Sequence, residues 1–149
     1  MATTYAADYE ETFTVPIPPD AAQRHFSDVD VIGRNYGPVD EWEKIDELTV
    51  RVKLVPQEHK GLTFRGEYTA RYTHAPGALR WDTLSQGNMR SRGTATFKAK
   101  GSGTEVHYSQ HIEVDVEVGK LLGKVVGPFI TLGVRDGVKT YLARMRAAV

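Results

Sequence analysis

Phe64, Tyr68 and Tyr72 occupy the even positions of the stretch Leu62–Thr73, with Arg65, Glu67 and Arg71 on the odd ones. A strand sends alternate side chains to opposite faces, so this spacing gathers the aromatics on one face and the charges on the other. The same alternation turns Leu79, Trp81 and Thr83 inward on Leu79–Leu84, and Met89, Ser91 and Phe97 inward on Met89–Ala99. On Glu105–Val118 it turns Tyr108 and Gln110 inward. Phenol hydroxyls and a carboxamide among aromatics can orient the polar end of a bound molecule. A tyrosine could also act as a general acid on a carbonyl. The small inward residues Gly66, Ala70, Gly93 and Ala95 leave space under a covering element, or else admit large neighbours closely while the tyrosine tips reach solvent. On the pattern alone both readings stay open.

Other constellations carry less. His107 and His111 have the H-x-x-x-H spacing, but on a strand four residues separate them by about 13 Å, too far to share a zinc ion. They are expected as solvated histidines of the outer face. Glu113, Asp115 and Glu117 alternate outward too, as a solvated acidic row. Arg65, Arg71, Arg90 and Arg92 face outward on neighbouring strands, where cross-strand ion pairing is the expected role. Lys100-Gly-Ser-Gly103 lacks the remainder of a phosphate loop and opens no helix, and no G-x-S-x-G elbow is present. No catalytic residue, metal ligand or cofactor site is therefore assigned.

The elements that must position the inward set are legible in order. Gly119–Val149 reads as one long helix, with an apolar stripe through Leu122, Val125, Val126, Phe129, Ile130, Gly133, Val134, Gly137, Val138, Tyr141, Leu142 and Met145. Pro128 should kink or restart it. Gly133 and Gly137 read as close-packing points, and Gly119–Pro128 as a gate that moves to admit a ligand. Upstream, Tyr9–Pro16 is a strand, Pro19–Asp20 starts a short helix, and a second covers about Asp28–Asn35. Strands follow at Glu41–Ile45, Thr49–Val55, Leu62–Thr73, Leu79–Leu84, Met89–Ala99 and Glu105–Val118. Pro56–Gly61, His74–Gly77, Gln86–Asn88 and Lys100–Gly103 connect them as loops or turns. This is an α+β pattern, a curved antiparallel sheet of six or seven strands gripping a long C-terminal helix.

Length and charge narrow the classes. At 149 residues the chain suits one domain, 1–149. Nineteen basic residues balance 19 acidic ones, so no overall field recruits nucleic acid. Cysteine is absent, which excludes disulfides and thiolate chemistry. The N-terminus shows no secretory pattern, and the apolar run Val125–Val134 is far short of the roughly 20 residues needed to span a bilayer. A cytoplasmic protein without integral membrane association is expected.

The succession of strand, two short helices, antiparallel strands and long helix resembles the START/Bet v1-like (SRPBCC) superfamily, over nearly the whole chain. PPDAAQRHFSDVDVIGRNY, GLTFRGEYTARY and GTEVHYSQHIEVDVEVGKLLG carry the likeness. The last is similar to two branches of it, the carbon monoxide dehydrogenase-associated one and the polyketide cyclase-like one. The resemblance implies a helix-grip fold and an apolar ligand between sheet and helix, and it tilts the choice above toward a cavity. Phe64, Tyr68, Tyr72, Trp81, Met89, Phe97, Tyr108 and Gln110 would line it from the sheet, and Val126, Phe129 and Ile130 from the helix. A carrier or sensor of a hydrophobic small molecule is the leading expectation. The alternatives are a metal-free cyclase or dehydratase using Tyr68, Tyr72 or Tyr108, and an accessory domain that docks on a partner protein or a membrane surface.

Overall fold

A computed structural model describes residues 2–36, 39–59, 62–84, 87–118 and 120–149. The elements run β1 (Ala2–Val15), α1 (Pro19–Ser27), α2 (Val29–Asn35), β2 (Val39–Asp46), β3 (Thr49–Leu54), β4 (Gln57–His59), β5 (Leu62–Phe64), β6 (Glu67–Ala75), β7 (Ala78–Thr83), β8 (Met89–Lys100), β9 (Gly103–Glu117) and α3 (Lys120–Ala147). Seven strands form one antiparallel sheet in the order β1-β9-β8-β7-β6-β3-β2, and β4 and β5 pair separately. The helix-grip architecture and the two short helices after the first strand are as expected.

Local chemistry sets the boundaries. Proline cannot donate to a ladder, and Pro16 ends β1 while Pro19 occupies the first turn of α1, where its missing N–H costs nothing. Asp28 caps α2 by accepting from the N–H groups of Asp30 (3.0 Å) and Val31 (3.3 Å). The hairpins β6–β7 and β8–β9 turn at Gly77 and Gly101, whose φ of 65° and 61° are left-handed and favour glycine.

Three expectations need correction. Leu62–Thr73 is two strands, not one, broken at Arg65-Gly66. The break follows from Asn88, whose side chain accepts from Glu67 N (2.8 Å) and donates to Arg65 O (2.7 Å), taking hydrogen bonds that a neighbouring strand would otherwise make. Freed from the main sheet, Leu62–Phe64 pairs with Gln57–His59, so the expected Pro56–Gly61 loop contains a short strand. Finally, α3 does not restart at Pro128, one of the two outcomes expected there, but runs through it. Lys124, whose carbonyl loses its helical partner to this proline, is exposed, so water can satisfy it. Gln86 of the expected turn, Gly119 of the expected gate and the Leu122 side chain lie outside the described residues.

Burial alternates along β9 without a fault from Gly103 to Asp115, which fixes Val106, Tyr108, Gln110, Ile112, Val114 and Val116 toward the helix side. Phe13, Phe26 and Phe97 stack at 5.8 and 6.1 Å, tying α1 to the sheet. The outer face is ionic. Arg90 on β8 pairs with Glu113 (3.1 Å) and Asp115 (2.8 Å) on β9, and it holds the Asp115 carboxyl down at about 2. His111 stands opposite Asp8 of the edge strand β1 and contacts Asp8 (2.7 Å) and Glu113 (3.1 Å), which raise its pKa.

This arrangement makes the β1 edge pH-dependent. A histidine raised in the folded state adds stability in full below its unfolded value and loses it as pH rises through the folded one. The stability difference between the native chain and a His111→Gln variant, measured by urea denaturation, is therefore expected to be larger near about pH 5.5 than near about pH 8.5. A difference that stayed constant or grew with pH would contradict the pairing.

Candidate functional site

Helix α3 packs on the body of the protein most tightly at its two ends, and between them Ile130 and Val134 reach the core while remaining only partly buried. At the N-terminal end Val126 is buried, and Gly123 and Gly127 meet the Tyr5 ring from β1. A Cβ built on either glycine would lie 2.9 Å from that ring or its hydroxyl, and Tyr5 Oη donates to Gly123 O (3.3 Å). At the C-terminal end Val138, Tyr141, Leu142 and Met145 are buried, and His25 Nε2 of α1 contacts Met145 O (2.7 Å). Arg146 lies 4.8 Å from the Phe13 ring centroid and pairs with Glu11. Between these anchors Phe129 and Leu132 are more than half exposed, and a Cβ on Gly133 or Gly137 would meet nothing within 4 Å. The close-packing glycines are thus Gly123 and Gly127, the reverse of the expectation, and Gly133 and Gly137 face open space.

The space is a cavity of about 410 Å³ between the sheet and α3. Phe64, Tyr68, Tyr72, Trp81, Met89, Tyr108, Gln110, Val126, Phe129 and Ile130 all lie along it, as do Tyr36, Ser91, Ile112, Val114 and Tyr141. Phe97 does not; it packs against Phe26 beneath α1. Val55, Glu58, Leu132, Asp136 and the two open glycines also border it. The inward glycines of the sheet do not supply the volume. Gly66 is occupied by the Met89 thioether and Gly93 by the Trp81 indole, so both admit a neighbour closely. Sequence reasoning therefore located the walls but attributed the space to the wrong glycines.

The walls are aromatic with an ordered polar seam. Trp81 lies 5.7 Å from Tyr72 and 5.0 Å from Tyr108, ring centre to ring centre. Across the cavity Tyr36, just past α2, lies 5.4 Å from Tyr141 of α3. Tyr36 was missed because it ends a helix rather than alternating on a strand. Tyr141 was read only as part of the apolar stripe. The β7–β8 ladder stops at Trp81 and Gly93, and beyond it the Thr83 hydroxyl donates to Ser91 O (3.0 Å) and accepts from Ser91 N (2.8 Å). That substitution holds Ser91 in place at the cavity wall.

From Ser91 a chain of hydrogen bonds runs through the buried seam. Trp81 Nε1 (3.3 Å) and Gln110 Nε2 (2.7 Å) both donate to Ser91 Oγ, and Tyr108 Oη donates to Gln110 Oε1 (2.6 Å). Ser91 then has both lone pairs filled and its own proton unspent. Turning the Gln110 amide over moves the spare proton to Tyr108 but does not remove it. Tyr36 and Tyr68 form a second such pair, two hydroxyls sharing one hydrogen bond. Tyr72 and Tyr141 form a third hydrogen-bonded grouping beside them, and each of the three carries one O–H more than its internal hydrogen bonds use.

These hydroxyls remain protonated at neutral pH. Burial pushes Tyr36 up to about 12, and burial followed by the neighbouring tyrosines raises Tyr68 and Tyr141 well above the usual phenol range. Tyr72 and Tyr108 are raised by the same causes. The carboxylates Glu67 and Asp82, which a one-residue slip of register would have turned inward, are on the outer side; Glu67 pairs with Arg51 and Asp82 is exposed. Among the described lining residues the only carboxylates are Glu58 and Asp136, both exposed. His107 and His111 lie on the outer face beside carboxylates.

Residues 6–149 match the family described as polyketide cyclase/dehydrase and lipid transport. The chain belongs to this family. Its fold is shared with the Zhui aromatase/cyclase from Streptomyces sp. R1128, at 16% identity and a TM-score of 0.70, covering 97% of this chain and 93% of that one. A conserved protein from Geobacillus kaustophilus aligns at 14% identity with a TM-score of 0.65, covering 95% of this chain and 93% of that one. A point mutant of Thalictrum flavum norcoclaurine synthase, in complex with a transition-state analogue, aligns at 14% identity with a TM-score of 0.57, covering 99% and 96%. At such identities the likeness is one of fold. No curated protein matches the chain significantly. Among the described residues no helix is long and apolar enough to cross a membrane.

The two kinds of glycine on α3 separate in a simple measurement. Gly137→Ala is expected to raise stability by about 1 kcal/mol, since a better helix former enters open space. Gly127→Ala is expected to lower it by about 1–3 kcal/mol, because the Tyr5 ring must give way. Urea midpoints at unchanged slope would show both, and the same sign for the two would contradict the anchored-ends geometry.

Proposed function

We propose that residues 1–149 act as one helix-grip unit that binds a flat, largely apolar small molecule bearing acceptor oxygens, as a carrier or sensor. The observation that carries this reading is the proton count of the cavity. The Ser91–Gln110–Tyr108 chain and the hydroxyl pairs Tyr36–Tyr68 and Tyr72–Tyr141 each carry one O–H more than their own hydrogen bonds use, so the cavity is rich in donors. A buried donor without a partner costs about 1–3 kcal/mol, so a molecule presenting carbonyl or ether oxygens would complete these groupings. Family membership supports a hydrophobic ligand in general. A volume of about 410 Å³ is within the usual range of small-molecule sites. Tyr68, Tyr72, Trp81, Tyr108 and Gln110 would contact the ligand from the sheet, with Phe64 and Met89 beside them. Val126, Phe129 and Ile130 would cover it, and Phe97 is withdrawn from the set.

A second reading, a cyclase or dehydratase, draws on the same spare protons, which could polarise a ketide carbonyl. It needs a base to remove a proton, and the buried tyrosines are held in their protonated form. Among the described lining residues only Glu58 and Asp136 could serve, and both are exposed. Binding without chemistry is therefore the stronger reading. The accessory-domain reading asks for a cavity filled by side chains, and the open volume gives it no support.

Mass spectrometry of the purified chain, native and then denatured with organic extraction, tests this directly. The expected result is a neutral, oxygen-bearing apolar compound that leaves on denaturation, returns on refolding and comes back at unchanged mass. A compound returned with altered mass would move the assignment to the enzyme. A pure hydrocarbon or a multiply charged ligand would contradict the proton count.

A further inference from the structure

The cross-strand pairing expected for the outward arginines holds for Arg90 but not for Arg71 or Arg92, and Arg80, on the strand between them, is unpaired as well. Among the described residues these three make no hydrogen bond and no ion pair within 4 Å, although all are exposed. They border a shallow groove of about 530 Å³ on the outer face of the sheet, across β6, β7, β8 and β9. Register places them in two rows. Arg71 faces Asp82 and Arg92 faces His111, while Arg80 lies between Thr73 and Thr94, with Ser109 beyond. The row of Arg71, Asp82 and Arg92 could have been a charge ladder. Instead Asp82 turns to its own backbone and accepts from Thr83 N (2.8 Å). His111 and Asp8, at the far end, engage each other. Asp46 lies near enough to feel the charge of Arg71, without a pairing contact. Three guanidinium groups are left facing solvent together on a chain whose overall charge is zero.

We propose that this groove is a second binding surface, distinct from the cavity, for a carboxylate-rich polypeptide segment of a partner protein. The arginines are spread, not convergent. Arg71 and Arg92 are two strand spacings apart, about 10 Å at the backbone. The groove is far larger than a single phosphate or sulfate group would need. Carboxylates on alternate residues of an extended segment recur every roughly 7 Å, a spacing that long guanidinium side chains span. Arginine meets each one in a planar fork. The hydroxyls of Thr73, Thr94 and Ser109 border the same groove and offer hydrogen bonds to a peptide backbone. Single-stranded nucleic acid is disfavoured because it needs exposed aromatic platforms. Of the rings bordering the groove, Trp81 is buried with its indole over Gly93 and the His111 imidazole is held between Asp8 and Glu113.

The test is fluorescence anisotropy of the full chain with a labelled hexaglutamate peptide, at low and at moderate salt. Saturable binding that weakens with salt is expected. The triple variant Arg71→Gln, Arg80→Gln and Arg92→Gln is expected to bind about tenfold more weakly or worse. A control triple, Lys124→Gln, Lys139→Gln and Arg144→Gln, removes the same charge from exposed positions on α3 and is expected to retain binding. All six positions are exposed, and circular dichroism would verify folding. Equal loss in both triples would show a response to net charge alone and overturn the proposal. So would the absence of saturable binding, or tighter binding of a single-stranded oligonucleotide of matched length.

Discussion

Helix α3 is buried deeply at two places and only loosely packed between them, and the rest of the architecture depends on that constraint. The Tyr5 ring against Gly123 and Gly127 sets its N-terminal height above β1. Leu142 and Met145, with His25 on the Met145 carbonyl and Arg146 over Phe13, set the C-terminal height. A helix is stiff over this length, so two anchors hold the middle off a sheet that curves away beneath it. The bare backbone of Gly133 and Gly137 keeps side chains from refilling the gap. Tight packing at the ends is what produces empty space at the centre.

The cavity's polarity comes from the same economy of contacts. Trp81 and Gln110 are buried and must place their N–H groups, and Ser91 takes both. The Thr83 hydroxyl, standing in for the ladder where β7 and β8 part, holds Ser91 where it can do so. Each hydroxyl that accepts in this way still owns a proton, and in a desolvated, aromatic-walled space that proton is the strongest recognition element available. With the phenols held protonated and the carboxylates confined to exposed positions, the interior recognises acceptors and does little acid–base work.

Much of this was legible in the sequence because a period of two leaves little freedom. Once Val106, Ile112 and Val114 commit one face of β9 to the core, Tyr108 and Gln110 must share it, and the outward row must carry the charges. The two short helices were equally plain from Pro19 and Asp28. What was illegible depended on contacts distant in sequence. The split of Leu62–Phe64 from Glu67–Ala75 is made by an asparagine more than twenty residues away. The opposite roles of the α3 glycines depend on where Tyr5 of the first strand falls, and helical spacing alone cannot say that. Tyr36 entered the site through the geometry of α2, and Phe97 left it because α1 covers that end of the sheet. The unpaired arginines were hidden for a related reason: register makes Asp82 available, and only a local hydrogen bond takes it away.

The central claim is that surplus hydroxyl protons select an acceptor-bearing apolar molecule. Its most direct test is the relative affinity of fluorenone and fluorene, near-equal in shape and differing by one carbonyl oxygen, each competing with a fluorescent probe in the cavity. One net hydrogen bond is worth about 1 kcal/mol, so fluorenone should bind roughly fivefold more tightly. A double variant Tyr36→Phe and Tyr68→Phe, which removes both hydroxyls of that pair and frees no donor in their place, should narrow the difference. Equal affinity of the two compounds for the native chain would contradict the claim, and so would a preference that widened in the double variant.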